Sequence, residues 1–355
     1  MLAEILDYAN RHDCSDIHLV TDSQPIVRRI GLLEKLQYPP LTEKEVLNWI
    51  ADFLSDEQLT IYYSGKDIDT AYTDWVGNRF RINVYRQQGK PGIAMRLLKN
   101  DIPTIDQLDL PVILKDLADL PRGLVLVTGP TGSGKSTTLA AMIDHINRRK
   151  QKHILTLEDP IEYVYKPKMS LINQREIHKD VSSFHDGLRS ALREDPDVIL
   201  VGEMRDHETI SLAITAAETG HLVFSTLHTI GAPNTIDRII DSFPTHQQSQ
   251  IRTQLSTVLK AAISQVLVPK ADSSGRVAIH EIMLMNDAVS NLIREGKIFQ
   301  IATTIQTNSR MGMTTLEASL VQRMNARQIT FETALGISSN PELLKRLSGR
   351  TTTTR

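Results

Sequence analysis

The chain has 355 residues, of which 41% are hydrophobic and 23% charged, an ordinary globular composition with enough length for about two domains. Lys plus Arg total 40 against 42 for Asp plus Glu, and the resulting net charge of -2 excludes the broad basic field that holds nucleic acid by counterion release. The single cysteine, Cys14, excludes an internal disulfide and a four-thiolate zinc site.

No run reaches the ~18 apolar residues that a bilayer span requires. The first residues, MLAEILDYANRHD, carry charges where a signal peptide needs an apolar stretch. A cytoplasmic location without membrane insertion is the expectation. In chain order, the first hundred residues read as mixed α and β. The T-x-x-E pattern from Thr42 to Glu45 is a capping box, and Val46, Leu47, Ile50, Phe53 and Leu54 follow at helical spacing. Residues 79–85, RFRINVY, alternate instead: Phe80, Ile82 and Val84 face one side while Arg79, Arg81 and Asn83 face the other. That strand leaves Arg81 pointing away from its own core.

Between Arg96 and Leu110 the pattern breaks, and Pro103 and Pro111 bracket a polar stretch suited to a linker. The expected division is an α+β domain over 1–99, a linker over 100–110, an α/β domain over 111–347 and a frayed tail over 348–355. From Gly123 the apolar runs LVLVT, ILTL, VILV and LVFST alternate with helical segments, which predicts βαβ units and a mostly parallel sheet. Residues 265–285 read as a hairpin turning at Asp272 to Gly275. The remainder to about 347 is helical in pattern, with Asn340-Pro341 as a helix start.

The sharpest motif is Gly129-Pro130-Thr131-Gly132-Ser133-Gly134-Lys135-Ser136, a match to G-x-x-x-x-G-K-[ST] placed between a strand and a helix running from Thr137. Its chemistry is phosphate capture. Backbone N–H groups turn inward at the glycines, the helix presents its positive end, Lys135 reaches the β and γ phosphates, and the Ser136 hydroxyl ligates Mg²⁺. Thr131, Gly132, Ser133, Gly134, Lys135, Ser136 and Thr137 are thus the candidate contacts to ATP.

Catalysis needs an acid beside that loop. Asp197 to Glu203 supplies an apolar strand ending in a carboxylate, the Walker B arrangement, so Glu203 is the first candidate to activate water or to hold Mg²⁺ through water. Glu158, which ends ILTL, is its rival as general base, since ligands collect at the carboxyl ends of parallel strands. His221 and His228 flank LVFSTL and are expected to emerge near that same edge.

The segments GPTGSGKS, TLEDPIE, DVILVGEMRD and ETGHLVFSTLHT resemble the Walker A, Asp box, Walker B and His box of the secretion ATPases that drive type II secretion and type IV pili. The likeness runs from Ser15-Asp16-Ile17-His18-Leu19 to NPELLKRL. AVSNLIRE, residues 288–295, is similar to the AIRNLIRE signature of PilT-type pilus retraction ATPases, with Val289 and Ser290 as departures. The tetracysteine zinc element of many extension and secretion relatives is absent, because Cys14 stands alone.

This resemblance implies a PAS-like N-terminal domain and a RecA-like ATPase domain assembled as a homohexamer. It further implies that Arg81 and Arg96 are the arginines that reach the γ-phosphate, and that the ring acts on an inner-membrane platform protein, and through it on pilins, from the inner face of the membrane. The rivals are a pilus-extension or secretion ATPase, a nucleic-acid motor, and a scaffold that binds ATP without turnover.

Overall fold

The computed structural model describes residues 1–12, 14–29, 31–98 and 101–349, and the expected tail at 350–355 lies outside them. Two compact units are present: Met1–Asp101 with Pro160–Val164, and Ile102–Asp159 with Tyr165–Arg355.

The first unit is built on strands β1 (Asp16–Val20), β2 (Ile26–Arg29), β3 (Leu32–Lys35), β4 (Ile68–Thr73), β5 (Arg79–Gln87) and β6 (Lys90–Leu98). They form one antiparallel sheet in the order β3-β2-β1-β6-β5-β4. Helices α1 (Leu2–Arg11), α2 (Glu43–Phe53) and α3 (Asp56–Tyr63) complete it. The sequence signals translate directly. Thr42 and Glu45 make the reciprocal capping box at the start of α2, which buries Val46, Trp49, Ile50 and Phe53. Along β5, Phe80, Ile82 and Val84 are fully buried while Arg79, Arg81 and Asn83 are only half-buried, the two-residue period of a sheet with one wet face.

In the second unit, residues 104–110, read from the sequence as part of a linker, wind through turns that bury Ile105 and Leu110. Its sheet holds β7 (Gly123–Thr128), β8 (His153–Glu158), β9 (Leu171–Glu176), β10 (Val198–Val201), β11 (Leu222–Leu227), β12 (Leu259–Pro269) and β13 (Arg276–Leu284), in the order β13-β12-β7-β11-β10-β8-β9. All pairs are parallel except the β12–β13 hairpin. The mostly parallel α/β architecture is therefore as expected. Strand β9 has no apolar run to announce it: LINQRE sits at the sheet edge, where only one neighbour has to be satisfied.

The helices of this unit are α4 (Ile113–Ala118), α5 (Lys135–Arg149), α6 (Phe184–Ala191), α7 (His207–Glu218), α8 (Ala232–Asp241), α9 (Thr245–Val258), α10 (Asp287–Arg294), α11 (Ile301–Thr307), α12 (Leu316–Asn325), α13 (Phe331–Ile337) and α14 (Pro341–Leu347). Strands β7, β10 and β11 are buried along their whole length, the mark of a parallel sheet covered on both faces. Asn340 caps α14 through the Leu343 N–H, with Pro341 in the first turn. The two departures in AVSNLIRE both point inward: Val289 is fully buried, and the Ser290 hydroxyl donates to the Ser256 carbonyl (2.5 Å).

Candidate active site

Strand β7 ends at Thr128, which is level with Leu227 of β11 on one side and Ser264 of β12 on the other. The chain then turns through residues 129–134 into α5. Gly129, Gly132 and Gly134 have φ of 138°, 78° and 86°, the left-handed region that a side chain disfavours.

Their surroundings differ. A Cβ on Gly129 would lie 2.1 Å from the Gln265 carbonyl oxygen, and one on Gly134 would lie 2.9 Å from the Gln265 side-chain nitrogen, so β12 packs too tightly for anything larger. Gly132 meets nothing within 4 Å and leaves the outer side of the loop clear. Lys135 is buried, its ammonium donating to the carbonyls of Gly129 (2.9 Å) and Pro130 (3.1 Å). Ser133 is buried too, and its hydroxyl has no hydrogen-bond partner among the described residues. Thr131, Gly132 and Ser136 are exposed at the loop mouth, Gly134 and Thr137 half-buried. One loop thus carries a cationic side chain, a helix N-terminus and an open glycine, the donor set for polyphosphate.

Glu203 lies two residues beyond β10, and its backbone is clamped from both sides. The Gly202 N–H donates to the Leu157 carbonyl (2.8 Å), the Thr226 hydroxyl to the Gly202 carbonyl (2.6 Å), and the Met204 N–H to the Thr226 carbonyl (3.1 Å). Its side chain, 12% exposed, is ion-paired with Arg205 and lies 3.3 Å from His228 Nε2. Glu158, at the end of β8, accepts the Thr156 hydroxyl (2.7 Å) and the Gln174 side-chain N–H (3.1 Å). The register places both acids and the phosphate loop along the carboxyl edge of one sheet.

The exposed Ser136 hydroxyl and the Glu203 carboxylate are the hard oxygen donors that Mg²⁺ prefers. Among the described residues no cluster of three or more His, Cys, Asp or Glu forms a metal cage, and Mg²⁺ bound to nucleotide phosphates needs none, since water and phosphate fill most of its positions.

The expectation that His221 and His228 share an edge is corrected. His228 follows β11 and reaches Glu203, whereas His221 precedes β11, at the opposite end of a six-residue strand about 20 Å long. There its Nδ1–H donates to the Ala216 carbonyl (2.9 Å) at the end of α7, and its own carbonyl receives the Gly123 N–H (3.0 Å). A strand separates the residues that flank it. Arg81 and Arg96 lie in the first unit, on β5 and β6.

Four further side chains hold the site. Arg205, Thr156 and Gln174 touch the two acids, and Gln265 touches the loop. Thr156 and Arg205 lie within the TLEDPIE and DVILVGEMRD segments, Gln265 is a polar residue inside the apolar run ISQVLV, and Gln174 carries no such signal.

The family described as type II/IV secretion system protein matches residues 79–335. A type IV pilus retraction ATPase of Pseudomonas aeruginosa is 47% identical over 92% of this chain and 97% of its own length. A twitching motility protein of Neisseria gonorrhoeae is 48% identical over 90% of this chain and 85% of its own. A crystal structure of a pilus retraction motor with bound ADP superposes with a TM-score of 0.89 at 46% identity, covering 97% of this chain and 98% of that one. Among the described residues no helix is long and apolar enough to cross a membrane.

Proposed function

This chain belongs to the type II/IV secretion system protein family as an ATP-hydrolysing enzyme of its pilus-retraction branch, and on that premise we propose that it forms a homohexameric ring that withdraws type IV pili from their base. The observation that carries the catalytic reading is the meeting of the 129–136 loop with Glu203 and His228 at one sheet edge.

In this reading the loop N–H groups and Lys135 hold the β and γ phosphates of ATP. The Ser136 hydroxyl and, through water, the Glu203 carboxylate would hold Mg²⁺, which would supply neutralisation of phosphate charge. Glu203, positioned by Arg205 and His228, orients the attacking water and accepts its proton. Glu158 is the second acid of that edge. Arg81 and Arg96 supply guanidinium charge to the γ-phosphate, so release of that phosphate removes the contact that held them and converts hydrolysis into movement. The 1–99 and 111–347 divisions act as PAS-like and RecA-like domains. The ring works at the inner face of the membrane on a platform protein, and through it on pilins.

Deletion of the gene with microscopy of labelled pili tests the direction of movement. Loss of retraction with surplus surface pili is expected. Disappearance of pili altogether would assign the chain to extension instead.

A further inference from the structure

Gln265 stands where the phosphate loop leaves the sheet. It follows Ser264, which is level with Thr128, and so lies beside Gly129. The side chain is 2% exposed, yet both ends of its amide are used. The nitrogen donates to the Ser133 carbonyl in the middle of the loop (2.6 Å). The oxygen accepts from the Thr138 hydroxyl in the first turn of α5 (2.8 Å) and faces His280 Nε2 on β13 (3.0 Å).

These partners leave no freedom in the assignment. A carbonyl can only accept, so the amide nitrogen must face Ser133; the remaining oxygen can only accept, so Thr138 and His280 must donate. Burial, with Arg323 adding to it and Asp109 opposing, lowers the His280 value to about 3, which keeps the imidazole neutral with one N–H. The His280 backbone N–H is held in turn by the Ser319 hydroxyl of α12 (3.1 Å).

We propose that Gln265 is a positioning residue for nucleotide binding: from a strand outside the motif, it fixes the curvature of the phosphate loop by gripping Ser133 and the start of α5 together. The same residue explains the glycines, because Gly129 and Gly134 are the two loop positions whose Cβ would strike it. The loop is therefore shaped from beneath by β12, and the nucleotide meets a cradle already formed. Preorganisation of this kind acts on ground state and transition state alike, so its loss appears in KM more than in kcat.

The inference rests on the ATPase reading above, and the test separates the two. Purified full-length chain is assayed for ATP turnover and for binding of ADP, beside Gln265→Met, Thr138→Val and Thr138→Ser, with melting curves for each. Methionine preserves length and flexibility while deleting both hydrogen-bonding ends. The expected result for Gln265→Met is ADP affinity and KM for ATP each weakened roughly tenfold or more, since tenfold is the scale of one buried hydrogen bond and three are lost, with kcat changed less than about threefold. Thr138→Val should weaken both in the same direction by a smaller factor, and Thr138→Ser, which keeps the hydroxyl, should restore them.

A folded Gln265→Met chain with wild-type KM and ADP affinity overturns the inference. Should that variant fail to fold, the threonine pair decides: wild-type KM in Thr138→Val overturns it, and a defect relieved in Thr138→Ser supports it. A wild-type chain without ATP turnover overturns the functional reading itself, and this inference with it.

Discussion

Arg81 of β5 and Arg96 of β6 are direct cross-strand partners, and the residue opposite Arg96 on its other side is Asp16 of β1. Two guanidinium groups facing each other on one side of a sheet repel. Asp16 offsets this: its carboxylate accepts from Arg96 Nε (3.0 Å) and lies 3.8 Å from Arg28. The two proposed phosphate-sensing arginines are thus one charged row with a built-in counter-ion.

Arg81→Ala should leave ADP binding intact while lowering kcat by about 10³-fold or more, the effect of losing an arginine finger. Unchanged turnover would remove Arg81 from the mechanism. Asp16→Asn releases Arg96 from its anchor. The Arg96 side chain is 66% exposed, but Asp16 is 17% exposed and also faces Arg28, so the substitution should cost about 1 to 2 kcal/mol in chemical denaturation, and no measurable loss would contradict the counter-ion role.

Lys135→Ala removes the buried ammonium that the carbonyls of Gly129 and Pro130 hold within the loop. Turnover should be abolished in a steady-state phosphate-release assay, since in the proposed mechanism this lysine is the group that holds the β and γ phosphates. Hydrolysis at the normal rate would refute the assigned site.

The two acids can be ranked. Glu203→Gln keeps size but removes the charge that Arg205 and His228 address, and should lower kcat about 10²- to 10⁴-fold with nucleotide still bound. Glu158→Gln, whose carboxylate is already engaged by Thr156 and Gln174, should have the smaller effect. If the order were reversed in parallel kcat measurements, Glu158 would be the base.

Acid stability depends on His280. Folded, it titrates at about 3 against an ordinary 6.5, so as pH falls through that window the unfolded chain binds the proton first and stability is lost. The slope is about 1.4 kcal/mol per pH unit, or about 2 kcal/mol lost by pH 5. His280→Gln retains an N–H donor without the titration, and urea denaturation at pH 7 and pH 5 should show a correspondingly smaller loss. Equal losses in the two proteins would disprove it. Asp144 and Asp197 act in a different window. Burial alone would raise them, but Lys168 with Arg148, and Lys152 with the His153 N–H, hold both low, so their contribution fades only below about pH 4.

Sequence alone determined the features whose partners lie within a few residues. The Thr42–Glu45 capping box, the alternation along β5, and the Gly-rich loop between β7 and α5 are all written at spacings of two to five, where backbone geometry leaves little choice. Tertiary structure decided whatever depends on which strands become neighbours. It set Gln265 against Thr138, 127 residues away, put His228 rather than His221 beside Glu203, opposed Arg81 to Arg96, and made LINQRE an edge strand. Those pairings arise when separate apolar strands settle into one sheet order, and a period of two or 3.6 carries no record of that order.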